Sequence, residues 1–218
     1  MRLTMPSGIC QSQHAPVLEL MTCDEDRDEL FRLRHDAYVD AGFIAAEHGH
    51  GLFADAFDVE PATLSLLASN AGRTQGGLRL SISRSGADID RLPSGISEDV
   101  RRLRRQRRGA IAEISRLVVA PSAGGMFHRT SLTATLVRAS LLACRAADVE
   151  TVLIAAPPQL VSFYRAAMGF TAISGPIRYP LGPGDEPVVL MQADLARAFE
   201  RHARPFFRIG SREVQRLR

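Results

Sequence analysis

The chain of 218 residues contains no lysine and no tryptophan, has only three cysteines, and draws just 6% of its residues from the aromatics. Cys10, Cys23 and Cys144 are too few and too scattered for a disulfide framework or a zinc site, and no metal site is expected. Their scarcity fits a reducing, cytoplasmic setting. No apolar run approaches the roughly 20 residues that a membrane helix requires. The stretch Met1–His14 lacks the apolar segment of a secretory signal. The few aromatics do not interleave with the arginine run at 101–108, which argues against stacking on nucleic-acid bases.

What is present is charge, unevenly placed. Every basic side chain apart from histidine is arginine, and the net charge is +3. Arg101, Arg102, Arg104, Arg105, Arg107 and Arg108 form a dense run, and Arg197, Arg201, Arg204, Arg208, Arg212, Arg216 and Arg218 punctuate the C-terminal stretch. Such runs suit a solvated face or a docking surface for an acidic partner. A second set lies in short phrases flanked by apolar residues: Arg34, Asp55, Asp58, Arg79, Glu113 and Arg116. Charges beside a core must be paired, because an isolated buried ion costs several kcal/mol even after relaxation. Three cations and three anions can neutralise one another in one site.

Residues 1–16 read as a disordered leader, 17–195 as one domain, and 196–218 as a basic helix or tail. A helix is expected over Asp24–Tyr38, with Arg34 and Tyr38 one turn apart, then a long loop over Gly42–Phe57. Ala62–Ser69 and Gly77–Ser83 alternate around the turn Asn70-Ala71-Gly72 as a hairpin. A short helix is expected around Val100 and Leu103, and Ala110–Ala120 is the strongest strand signal. The glycine-bearing loop Ser122–Gly125 leads into a long helix, about Phe127–Ala147, an arrangement that offers a helix N-terminus to a phosphate. Thr151–Ala156 reads as a strand, Pro157-Pro158 starts a helix carrying Phe163 and Tyr164, Gly175–Pro187 reads as a loop, and Val188–Met191 as a last strand. A hairpin followed by alternating strands and helices makes a mixed α/β (α+β) fold, a central sheet flanked by helices.

Phe163-Tyr164 followed by Gly169-Phe170, behind the Gly-loop and long helix, resembles the acyl-pantetheine-binding half of the GNAT N-acyltransferase superfamily. The front half is similar to a narrower group. An arginine four residues before an aromatic, then Asp-x-x-Asp, Gly-x-Arg-Leu and Glu-x-x-Arg, resembles the acyl-homoserine-lactone (autoinducer) synthases and the long-chain N-acyl amino acid synthases. The matching residues are Arg34, Tyr38, Asp55, Asp58, Arg79, Glu113 and Arg116. Autoinducer synthases tend to carry a tryptophan where this chain has Gly42-Phe43-Ile44, and Gly175–Leu181 looks more like the acyl amino acid synthases.

The resemblance implies transfer of a long-chain acyl group from an acyl carrier protein thioester, or acyl-CoA, to the amino group of an amino acid, with no bound cofactor. Glu113 is the candidate base, Arg34 and Arg116 candidate binders of the acceptor carboxylate. Asp55, Asp58 and Arg79 would orient the loop and the other charges. Tyr38, Phe43, Phe163 and Tyr164 would line the substrate site, with Tyr164 available to protonate the leaving thiol. The thioester would lie between Ala110–Ala120 and a parallel neighbour at Thr151–Ala156, its oxyanion held by backbone N–H groups near Leu117, Val118 and Val119. The arginine run at 101–108 would dock the acidic carrier. Glu113 and Arg116, three apart, point to opposite faces of a regular strand unless a β-bulge intervenes. Simpler readings stand beside these: a cross-strand Arg79–Glu113 ion pair, loop caps at Asp55 and Asp58, core packing for the aromatics. The competing functions are lactone synthesis from S-adenosylmethionine and a non-catalytic basic binding module.

Overall fold

The alternating and helical segments assemble into one seven-stranded mixed sheet in the computed structural model, which describes residues 17–21, 24–70, 72–179 and 186–202. The expected leader 1–16, the basic positions from Arg204 onward, and Cys10 and Cys23 lie outside the described residues. The strands are β1 (Val17–Leu20), β2 (Thr63–Asn70), β3 (Arg73–Ser83), β4 (Ala110–Val119), β5 (Val149–Ala156), β6 (Thr171–Arg178) and β7 (Pro187–Asp194), in the spatial order β1-β2-β3-β4-β5-β7-β6. The helices are α1 (Asp24–Asp40), α2 (Glu98–Gln106), α3 (Met126–Ala146), α4 (Val161–Met168) and α5 (Leu195–His202). The long loop after α1 holds two 3₁₀ turns, His48–Gly51 and Ala56–Val59.

Helices cover both faces. On one, Leu66, Leu78, Leu80 and Ile114 meet Leu132, Leu136 and Val137 of α3. On the other, Ile111, Leu153 and Leu190 meet Leu92 and the α2 residues Val100 and Leu103. Leu30 and Phe31 of α1 close over Leu67. Gly77 makes that approach possible: a Cβ there would lie 2.6 Å from Leu30 Cδ1 and 3.0 Å from Leu66 O.

Two elements differ from the sequence reading. β1 was not expected; its four residues carry too little alternation to signal a strand alone, and it forms by pairing with β2. The stretch read as a loop from Gly175 is strand as far as Arg178, because β6 is an edge strand. There Pro176, opposite Val189 and beside a bulge, has no need of a ladder N–H.

β4 and β5 are the only parallel neighbours in this sheet; the other adjacent pairs are antiparallel. Their pairing ends at Ile114↔Ile154, although β4 continues to Val119 and β5 to Ala156. The two strands therefore part company, leaving half of β4 without a partner on that side.

Candidate active site

A cavity of about 880 Å³ fills the gap where β4 and β5 separate. It is of the size that takes a small-molecule ligand, roughly 300–1,000 Å³. Leu117, Val118 and Val119 form one wall, Ile154, Ala155 and Pro157 the facing one. One face of α3 (Arg129, Thr130, Thr133, Ala134, Val137) covers it, and Leu160, Phe163, Tyr164, Met168 and Phe170 close the side beneath α4. Tyr38, Arg79, Arg116 and Tyr179 make the polar end, with Phe43 beside Tyr38. The residues expected to line the substrate site or hold the thioester (Tyr38, Phe43, Leu117, Val118, Val119, Phe163 and Tyr164) are thus in the lining, as is Arg116, whereas Arg34, the other expected binder of the acceptor carboxylate, is buried away from it.

The ladder decides which backbone groups face the gap. Ala120 N–H donates to Gln75 O at 2.8 Å, and Val119 and Val118 stand opposite Gly76 and Gly77. Antiparallel pairs alternate between bonded and unbonded, so Val118 turns its N–H to β3 and Val119 turns its own toward the cavity. Of the N–H groups of Val118 and Val119, that of Val119 is the one turned to the cavity.

The charges form an alternating chain. Arg34 donates to Asp58 at 2.7 Å, Asp58 lies 3.2 Å from Arg79, Arg79 donates to Asp55 at 2.6 Å, and Asp55 accepts from Arg116 through both Nε and Nη2. Arg34 and Arg79 are almost fully buried, at 0% and 1% exposure. Local loop structure sets the acids: Asp55 Oδ1 accepts from Phe57 N–H, while Asp58 Oδ2 accepts from Asp55 N–H, a reciprocal cap on the turn Ala56–Val59. The loop-cap reading and the ion-pair reading are therefore both features of the same two residues. Burial opposes ionisation of Asp55, but Arg79 and Arg116 outweigh it and hold its carboxyl below the usual carboxylate range. Burial likewise lowers the pKa of Arg34, with Asp58 opposing. Three guanidiniums against two carboxylates leave one positive charge over, and Arg79 and Arg116 face the cavity.

Arg116 stands at a β-bulge. One residue separates Gly77 from Arg79 while two separate Val118 from Ser115, their partners, and Arg116 has φ +54°. A non-glycine residue in this region costs on the order of 1–3 kcal/mol. Asp55 and the ring of Phe53, whose centroid lies 4.8 Å beneath the guanidinium, hold it there. The bulge turns Arg116 to the face of Arg79 and Ser115, which is also the face of Glu113.

Glu113 nevertheless occupies a different niche. It is fully buried and is not in the cavity lining. Its Oε2 accepts from Ser94 N–H at 2.8 Å and Ser94 Oγ at 2.6 Å, and its Oε1 accepts from Tyr179 OH at 2.8 Å. Burial pushes its pKa up; the Ser94 and Tyr179 bonds and the charge of Arg79 pull the other way without cancelling it. The simple Arg79–Glu113 ion pair is not formed: Arg79 stands opposite Ser115, bonds its Oγ, and pairs with Asp55 and Asp58. Ser94 and Tyr179 were not singled out from the sequence. Tyr179 lay inside the family-like stretch Gly175–Leu181, whereas Ser94 has no local signature. It is delivered by a tight turn in which a Cβ on Gly95 would collide with Ile89 O at 2.0 Å. Cys144 is buried, with its thiol pushed up to about 12, consistent with an inert core residue.

The arginine run is not at the cavity. α2 precedes β4, so the run sits by the strand's first residues, with Arg107 paired to Glu150 and Asp194, while the cavity opens at the strand's other end. Arg101 pairs with Asp90, Arg102 with Asp99 and Arg105 with Glu98, and Arg104 ties the carbonyls of Arg108 and Gly109. Arg108 is exposed.

The FeeM family, described as N-acyl amino acid synthase FeeM, matches residues 29–194. The chain belongs to this family of acyltransferases. Among solved structures, FeeM, an N-acyl amino acid synthase from uncultured soil microbes, superposes with a TM-score of 0.71 at 16% identity, covering 86% of this chain and 94% of that one. BjaI, a CoA-dependent acyl-homoserine lactone synthase, gives 0.58 at 21% identity, over 87% and 90%. An acyl-CoA N-acyltransferase from Pseudomonas aeruginosa gives 0.53 at 19%, over 82% and 99%. No curated protein sequence matches the chain. The fold is therefore that of the GNAT-like acyltransferases, and membership of the N-acyl amino acid synthase family gives it N-acyltransferase chemistry. No helix among the described residues is long and apolar enough to cross a membrane.

Proposed function

We infer that this N-acyl amino acid synthase family member takes a long-chain fatty acyl group from acyl carrier protein in the cytoplasm and transfers it to the amino group of an amino acid. The observation that carries the reading is the composition of the cavity, apolar along the end of β5 and beneath α4 and cationic where Arg79 and Arg116 meet it. The acyl chain fills the apolar part. The thioester lies along the unpaired half of β4, where Val119 N–H meets the developing oxyanion. The pantetheine phosphate lies toward the start of α3, whose first-turn N–H groups have no side-chain cap. The acceptor carboxylate meets Arg116 and Arg79 and offsets the surplus positive charge of the buried chain. Arg34, Asp58 and Asp55 hold those two guanidiniums rather than touch substrate, and Glu113 is the ultimate base. Tyr164, whose pKa burial raises, stays protonated beside the site of the leaving sulfur.

The carrier docks at the cavity rim in this reading. Met126 and Phe127 are 82% and 93% exposed, Phe163 is 49% exposed, and Arg129 and Arg165 are exposed nearby. An apolar and cationic rim suits an acidic partner that delivers an apolar cargo.

The test is to incubate purified protein with long-chain acyl carrier protein, a pool of amino acids and S-adenosylmethionine, and to analyse products by mass spectrometry. An acyl amino acid is expected. An acyl-homoserine lactone, or no acyl transfer with any donor, overturns the reading.

A further inference from the structure

Glu113 cannot meet an amine in the cavity, because it is fully buried outside the lining and its carboxylate oxygens already have donors. Two of those donors belong to Ser94, which does not line the cavity either. The third is the phenol of Tyr179, which does. Among the described residues, Tyr179 is thus the one that both bonds the Glu113 carboxylate and faces the substrate space. We propose that Tyr179 is a catalytic residue, passing the proton of the acceptor amine to Glu113. This rests on the acyl-transfer reading above.

The step balances within the protein. The neutral amine attacks the thioester carbonyl, forming the C–N bond. The nitrogen's surplus proton moves to the Tyr179 oxygen as the Tyr179 proton moves to Glu113 Oε1. Collapse breaks the C–S bond, and the expelled thiolate recovers that proton as the pair reverses, leaving amide, free thiol and the resting Glu113–Tyr179 pair. Burial raises the Glu113 pKa, and three donors aimed at its two oxygens oppose that shift and favour the acceptor form. Burial first, then the neighbouring Glu113 carboxylate, keep the phenol protonated, well above the ordinary tyrosine range. The other charged groups bearing on the pair are Arg79 of β3 and Arg116 of β4, both of which favour negative charge on it. Ser94 is a positioning residue: its two bonds leave Oε1 free to face Tyr179.

The experiment compares wild-type protein with Y179F, E113Q, the double variant and S94A, using the acyl amino acid assay, with thermal melts to establish folding. Y179F and E113Q should each lose about 100-fold or more in kcat, the span of general-base catalysis, with KM for the donor little changed. The double variant should lose no more than the worse single one, since the two act as a unit. S94A takes one donor from the carboxylate, so the acidic limb of the pH–rate profile, identified by its disappearance in E113Q, should move to higher pH while the plateau stays. A merely structural serine would not move that limb. Wild-type turnover with undiminished Y179F, losses that multiply in the double variant, or an unmoved limb in S94A overturns the relay alone. Wild-type protein that makes no acyl amino acid overturns the acyl-transfer reading and the relay with it. A Y179F protein that does not fold leaves the S94A limb to decide, and where E113Q does not fold, the difference between the wild-type and S94A acidic limbs decides.

Discussion

Asp58→Asn keeps shape and removes one charge from the buried chain, leaving Arg34 with nothing to balance it. Arg34 is 0% exposed, and its Nε and Nη2 already lack partners. It donates to Asp58 from Nη1 at 2.7 Å, and Asp58 also faces Arg79 at 3.2 Å. Removing one partner of a buried pair costs about 3–5 kcal/mol, because the remaining ion keeps its desolvation penalty and loses its attraction. For a domain of this size each kcal/mol moves the midpoint by about 2–4 °C, so D58N should melt roughly 6–20 °C below wild type. Calorimetry or circular dichroism reads the shift, and a urea titration converts it to free energy. The double variant R34M/D58N removes the stranded cation too and should recover about 1–3 kcal/mol relative to the sum of the singles. A D58N midpoint within about 2 °C of wild type, or strict additivity in the cycle, would refute a chain held by mutual neutralisation.

Three further outcomes follow from the same geometry. Arg116→Lys keeps the charge but loses the fork shared between Asp55 and the cavity, so KM for the amino acid should rise about tenfold or more while donor KM holds; an unchanged acceptor KM removes Arg116 from acceptor binding. Arg165→Glu should raise KM for carrier-borne donor and spare an acyl-pantetheine fragment, whereas reversing Arg102 and Arg108 should alter neither; the opposite pattern would return docking to the run at α2. Glu113 has its folded-state pKa raised, chiefly by burial, so its protonated form favours the fold. The stability it contributes is full below the unfolded glutamate value and is lost as pH rises through the folded one. E113Q should therefore melt at or above wild type at pH 8 even as turnover collapses; a midpoint clearly below wild type there contradicts the assignment.

Much of this was legible in the one-dimensional pattern because its physical cause is local. Period-two alternation at Leu78, Leu80 and Ile82, and helical spacing along α3, each bury one face and so declare themselves without knowledge of neighbours. The phrases holding Arg34, Asp55, Asp58, Arg79 and Arg116 declared a cluster of paired charges because ions flanked by apolar residues must find partners. The edge strands did not: β1 is four residues long and β6 carries Pro176, so each is defined by its partner more than by its own residues. The arginine run shows how composition can mislead about place. Its charge density was plain, but Glu98, Asp99, Glu150 and Asp194 are what engage it, and the direction of β4 puts it at the far end from the cavity.

The chain by itself determined its layer architecture, its family and the composition of its charged centre, because periodicity, ordered motifs and the cost of lone buried ions are properties readable residue by residue. Only the tertiary structure decided who touches whom. A single bulge with Arg116 at positive φ turned that side chain to the face of Glu113, and the end of pairing at Ile114↔Ile154 opened the cavity. Ser94 and Tyr179, far apart in sequence and from Glu113, converged on one carboxylate. Contacts of that kind depend on where strands diverge and loops return, which no local pattern of residues encodes.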